Sequence, residues 1–445
     1  MSIKMPGRTA YINARILDPE SGFDGSGELL TIGEKIADIG TKLFDGKPPA
    51  DAQVVDCAGL CLSPGIIDMR VQLREPGEEH KEGLKSGGEA AIAGGGTTVV
   101  CLPNTNPIMD DEATLEFVAR RARKLALSKV YCYGAITKGL RGEELAEMGL
   151  LAESGALAFT DATKAVANAQ VMRHALQYAA TFDLMIVQHP EEPSLASGVV
   201  NSGEMATRMG LSGIPREAEI IMLERDMRLL AMTGGRYHAA HISTADSVAI
   251  IAAAKEKGLR VSCDTAPFYF ALNELSVGDY RTFAKLSPPL RSENDRAEIV
   301  EGLKSGVIDT IASDHAPQDQ DSKRLPFPQA AFGGSGLETL LAVSLDLYHN
   351  GDLKLLDVLE RLTVAPANLL GLDSGRLAKG HKADLTIFNP DEGWKVVSDE
   401  FMSKSKNSPF DGRPVQGRVL RTVVDGRIVF DDINRHSDSP SRINC

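Results

Sequence analysis

Between residues 62 and 372 the chain repeats one unit: an apolar run of strand length, a polar residue at its end, then an amphipathic stretch with helical spacing. The strand-length runs are GIIDMRVQL (65–73), TTVVCLPN (97–104), KVYCYGAI (129–136), ALAFTD (156–161), LMIVQH (184–189), YHAAHIS (237–243), RVSCDTAP (260–267) and IDTIASDH (308–315). Stretches such as EATLEFVARRARKLAL, AEIIMLERDMRLLAM and TADSVAIIAAAKEKG separate them. This alternation predicts a (β/α)₈ barrel of the α/β class. A doubly wound open sheet is the competing arrangement, but no GxGxxG follows the first strand, and the glycines of AGGGTT (93–98) precede a strand instead.

The two ends follow a different rhythm. Residues 8–60 carry short alternating runs broken by Gly, Pro and Asp, and ADLTIFNP, GRVLRTVVDG and RIVF repeat that style within 383–430. The prediction is a small β-domain assembled from both termini, 1–61 and 373–445, around a barrel spanning 62–372.

In a barrel of this kind, chemistry sits at the carboxyl ends of the strands. Those ends carry Arg70, Gln72 and Arg74, then Asn104, Asp161, His189, His241, Asp264, and Asp314 with His315. Strand alternation puts Asp68, Arg70, Gln72 and Arg74 on one side of the first strand, which either meets water or lines a site. A lone histidine at a strand end is ordinarily a satisfied rim residue. Two histidines and two aspartates converging on one mouth are hard to explain as packing. Asp161, His189, His241 and Asp314 form a donor set suited to zinc or a similar divalent ion. Such an ion would activate a water, with Asp314 as general base and proton carrier.

Composition narrows the class. The net charge of −13 argues against a nucleic-acid or anionic-membrane binder. No stretch approaches the length of a membrane span, and the N-terminus lacks a signal core, so a cytoplasmic protein is expected. Six cysteines without a CxxC pair read as buried thiols in a reducing compartment.

Several blocks, in order, resemble the long-chain bacterial dihydroorotases of the amidohydrolase superfamily. They are PGIID…LREPGEEHKE (64–82), AAIAGGGTTVVCLPNTNP (90–107), AFTD (158–161), HPEEPSL (189–195), HAAHIST (238–244), KLSPPLR (285–291), IASDHAP (311–317), FGGSGLET (332–339) and SKSKNSPFDG (403–412). The resemblance implies reversible ring opening of dihydroorotate to N-carbamoyl-L-aspartate in pyrimidine synthesis, by a homo-oligomer. It further implies that Arg74 and Asn104 hold the substrate carboxylate, that His189, His241 and Asp161 are metal ligands, and that Asp314 is both ligand and base.

The pattern breaks at the first strand. Where the family places a His-x-His pair of metal ligands, this chain has Arg70-Val71-Gln72. The family's paired histidines after the strand-seven proline are Phe268-Tyr269, its substrate asparagine is Ser287, and its histidine after DHAP is Gln318. Three readings stay open: an enzyme with one zinc ion at most, a catalytically silent homologue partnering aspartate carbamoyltransferase, or a hydrolase of another cyclic amide or ureide with Phe268 and Tyr269 as a more apolar wall.

The loops 190–217 and 316–335 are long enough to cover a barrel mouth. The basic run ARRARKLALSK (119–129) reads as a solvated helix face. His80 belongs to the resembling block REPGEEHKE but lies beyond the strand end and need not touch a metal, and His174, His349, His381 and His436 have no spacing that suggests chemistry.

Overall fold

The apolar runs of the middle segment become eight short parallel strands because each is buried on both faces, against the ring interior and against helices. The structure, a computed structural model, describes residues 7–433; His436 and Cys445 lie outside them. The strands are β1 (Ile66–Val71), β2 (Gly96–Cys101), β3 (Lys129–Gly134), β4 (Ala156–Phe159), β5 (Met185–Gln188), β6 (Arg236–Ala239), β7 (Val261–Thr265) and β8 (Thr310–Ile311). They pair in chain order, each parallel to the next. A parallel bridge between Val71 and His315 and the Gln72 N–H donating to the His315 carbonyl at 2.9 Å close the ring. The barrel expected from the alternation is thus the observed fold.

Helices between the strands start where short polar side chains cap them. Asp111 accepts from the Thr114 N–H ahead of Glu112–Leu125, Thr244 from Ser247 ahead of Ala245–Glu256, and Ser292 from Asp295 ahead of Glu293–Lys304. Inside the ring, Met69, Val100, Tyr133, Ala158 and Val187, from five successive strands, pack into one buried cluster. Described cysteines 57, 61, 101, 132 and 263 are free and buried.

A second eight-stranded sheet draws on both ends of the described chain. Its path runs Arg427–Asp431, Pro414–Val424, Leu385–Lys395, Cys61–Pro64, Arg8–Asp18, Phe23–Ile32 and Lys35–Gly40, with Ala52–Asp56 parallel to Arg8–Asp18. Between the strands Leu385–Lys395 and Pro414–Val424 the chain leaves this sheet and reaches the barrel mouth. There Ser405 exchanges hydrogen bonds with the Gln318 backbone, and Asn407 donates to the Gly333 carbonyl at 2.9 Å. The terminal sheet therefore supports the loop that follows β8.

The expected alternation of Asp68, Arg70, Gln72 and Arg74 on one side ends at Val71, where β1 stops. Arg74 is left-handed, with φ 59°, so the chain turns there and aims its side chain independently of the strand.

Candidate active site at the barrel mouth

Arg70 leaves β1 near its end with its side chain 2% exposed. Its Nε donates to Asp314 Oδ1 at 2.9 Å and its Nη2 to the Ala162 carbonyl at 3.1 Å. The other Asp314 oxygen faces His241 Nδ1 at 3.0 Å, and His241 Nε2 lies 2.7 Å from His189 Nδ1. His189 Nε2 in turn faces Glu191 Oε2 at 3.3 Å, which accepts from Ser287 Oγ at 3.2 Å. A single chain of polar groups thus runs from Arg70 to Ser287 across the mouth.

Charge along this chain follows from burial and neighbours. Burial pushes the Asp314 carboxyl up, but His241 and Arg70 outweigh it and hold the group below the usual carboxylate range. Burial, and then the Arg70 charge, push His241 down, so it is neutral near pH 7. A neutral His241 that donates from Nδ1 to Asp314 must accept at Nε2, which makes His189 Nδ1 the donor.

Beside this chain lies a cavity of about 270 Å³ whose lining includes Gln72, Arg74, Asn104, His241, Asp314 and Gln318. Asn104 donates to Gln72 at 3.0 Å, and Arg74 Nη1 donates to Glu78 at 3.0 Å. Arg74 Nε and Gln318 Oε1 are buried without protein partners, leaving one donor and one acceptor beside the cavity. Phe332, Gly333 and Gly334 from the loop after β8 also line it. Three of the residues concerned, Arg74, His241 and Asp314, are non-glycine residues with positive φ. Such backbone strain gathers where a site over-determines its side chains. Two larger cavities, about 490 and 520 Å³, lie beside Trp394 and Lys129 and contain none of these residues.

The structure does not bring Asp161 to the histidines. Its Oδ1 accepts from the Ile136 and Thr137 N–H groups at 3.1 and 2.9 Å, and its Oδ2 from the Thr137 hydroxyl. The reason is local: the backbone beyond β3 presents unpaired N–H groups, and the nearest carboxylate takes them. Phe268 and Tyr269 differ as well from the wall expected of them. Both are buried in the core and absent from the cavity lining, with the Tyr269 hydroxyl donating to the Pro288 carbonyl at 3.0 Å.

A divalent ion does not fit the donors as they stand. Two nitrogens sharing one tetrahedral zinc at about 2.0–2.1 Å each would be roughly 3.3 Å apart, whereas His189 Nδ1 and His241 Nε2 are hydrogen-bond partners at 2.7 Å. The nitrogens that would ligate are committed to protein groups, Asp161 is turned away, and the Arg70 guanidinium is bonded to Asp314. Among the described residues no three His, Cys, Asp or Glu side chains gather as a metal site.

Three groups escaped the sequence reading. Glu191 ends the polar chain, and its place two residues after His189 in HPEEPSL was the available signal. His238 pairs with Asp264 at 2.8 Å, and Asp264 accepts the His241 N–H at 2.7 Å, so this buried pair fixes the backbone under His241. Neither His238 nor Ser405 has a spacing that would single it out.

Residues 59–247 match the family described as Dihydro-orotase-like, and residues 218–430 that described as Amidohydrolase family. A dihydroorotase from Anaplasma phagocytophilum (strain HZ) is 48% identical over 425 residues, 95% of each chain. One from Ehrlichia chaffeensis (strain ATCC CRL-10679 / Arkansas) is 46% identical over 424 residues, 95% of this chain and 94% of that one. Among solved structures, the L-hydantoinase (dihydropyrimidinase) from Arthrobacter aurescens superposes with a TM-score of 0.86 at 26% identity, covering 96% of this chain and 97% of that one. Amidohydrolases of this superfamily are typically metal-dependent.

Proposed function

Because the chain belongs to the dihydroorotase family of the amidohydrolases, we propose that it is a dihydroorotase-type cyclic amidohydrolase of pyrimidine biosynthesis, interconverting dihydroorotate and N-carbamoyl-L-aspartate. The observation that carries this reading is that Arg74, Asn104 and Asp314 line one cavity. A guanidinium and an amide suit a substrate carboxylate. Asp314 lies beside them as the group that takes a proton from water and returns it to the ring nitrogen. Arg70 and His241 orient its carboxylate; by lowering its basicity they also weaken it as a base. The test is ring opening of dihydroorotate, and closure of N-carbamoyl-L-aspartate, by the purified chain, with Asp314→Asn as comparison. Turnover that survives in Asp314→Asn would remove Asp314 from the reaction.

One observation favours a second reading. An arginine locked onto the base is what a silent homologue would tolerate, and such a chain would serve as a structural partner of aspartate carbamoyltransferase. Co-elution with that enzyme at a fixed ratio, without turnover of any cyclic amide, would support it; turnover of dihydroorotate would end it. Ring opening of hydantoins or dihydropyrimidines but not of dihydroorotate would move the substrate to another cyclic amide.

A further inference from the structure

Arg70 is held in a way that mere filling of space does not require. Its side chain is buried within the barrel, two of its nitrogens are fixed on Asp314 and on the Ala162 carbonyl, and the third, Nη1, is buried with no protein partner. Burying a guanidinium with an unmet donor is costly, and the cost is offset mainly by the Asp314 carboxylate. Each oxygen of Asp314 correspondingly has a protein partner, Arg70 on one and His241 on the other. The positive charge thus sits within bonding distance of the carboxylate that the resemblance assigns to a metal, beside two imidazoles whose nitrogens point at each other.

From this we infer that Arg70 is the resident cation of the site. Its guanidinium occupies the position at Asp314 that a divalent ion would need and excludes that ion by charge as well as by volume. Without that charge, Asp314, His241 and His189 are freed to re-orient, and a latent metal position opens among them. Arg70 is therefore a positioning residue that holds Asp314, not one that acts on substrate. The inference rests on the dihydroorotase-type reading only for the expectation that a metal belongs at this mouth; its test does not depend on turnover.

The experiment is zinc binding, by equilibrium dialysis of Zn²⁺ against the full chain, followed by metal analysis. Co²⁺ titration monitored by its visible absorption gives a second readout. The unmutated protein should retain far less than one equivalent. Arg70→Ala and Arg70→Met should bind Zn²⁺ tighter by on the order of a hundredfold, since a like charge has been removed next to the ion. Arg70→Lys, which keeps the charge, should stay near the unmutated value, and Asp314→Asn added to Arg70→Ala should remove the gain. The two neutral variants differ in volume, so a folding failure of one leaves the other to decide, with circular dichroism as the check on fold. A stoichiometric ion in the unmutated protein overturns the inference, whatever the variants do. So does a metal-free protein whose folded neutral variants bind no tighter. A protein that opens dihydroorotate without metal would leave both readings standing, whereas one that opens nothing and gains metal only in Arg70→Ala would sink the enzyme reading alone.

Discussion

His315 and Glu82 face each other, Nε2 to Oε2, at 3.5 Å, with both side chains wholly buried. His315 Nδ1 accepts from the Gly336 N–H at 3.2 Å, which leaves its proton on Nε2, toward the carboxylate. Glu82 also accepts from Ser86 and Ser403. One carboxylate thereby ties together the segment after β1, the end of β8 and the strap from the terminal sheet.

Replacing Glu82 by Gln should therefore destabilise the protein by about 1–3 kcal/mol, the range for leaving buried polar groups poorly paired, read by urea denaturation. Burial pushes this carboxyl up, but His315 and the serine hydroxyls outweigh it and hold the group below its ordinary value. A carboxyl lowered in the folded state contributes stability above its unfolded pKa and loses it as pH falls. Stability of Glu82→Gln should accordingly vary less on the acid side. Parallel curves for the two proteins would contradict the pairing.

Asp314→Asn removes the counter-charge of a buried arginine. The expected loss is about 3–5 kcal/mol, because Arg70 is left uncompensated. An unchanged midpoint in chemical denaturation would mean that Arg70 finds another partner.

For Asp161, a cap on the backbone after β3, Asp161→Ala should lower stability by about 1–3 kcal/mol through two stranded N–H groups. Zinc uptake of the Arg70→Ala background should be unaffected by it. If uptake falls while stability holds, Asp161 is a ligand.

The pH dependence of Asp68 tests the layer beneath the site. Burial pushes this carboxyl up to about 7 in the folded chain, so the native state holds a proton that the unfolded state has released. With the folded pKa above the unfolded one, the contribution is full below about pH 4 and is lost as pH rises toward 7, at about 1.4 kcal/mol per unit. Asp68→Asn should flatten that slope in thermal or urea unfolding between pH 4 and 7.

Arg74→Ala should weaken dihydroorotate binding by ~10- to 100-fold, the loss of one charge-assisted contact at about 1.5–3 kcal/mol. Calorimetry measures this without requiring turnover. Equal affinity in both proteins would take Arg74 out of the binding site.

Much of this molecule is legible in its sequence, because strand and helix periods are local properties of the chain. The apolar runs dictated the order of eight parallel strands, and the polar residue ending each run dictated that Asn104, His189, His241 and Asp314 stand near one mouth. Which of those groups meet is a different matter. Arg70 and Asp314 are 244 positions apart and touch only because Val71 bridges His315 where the ring closes. Asp161 stands at a strand end like the others, yet two backbone N–H groups after β3 claim it, and Glu191 joins the site from a loop with no periodic signal. Alternation says which side of a strand a residue leaves from. The pairing of buried charges is decided by whatever partner the closed barrel brings within bonding distance, since a buried charge without one is too costly to keep.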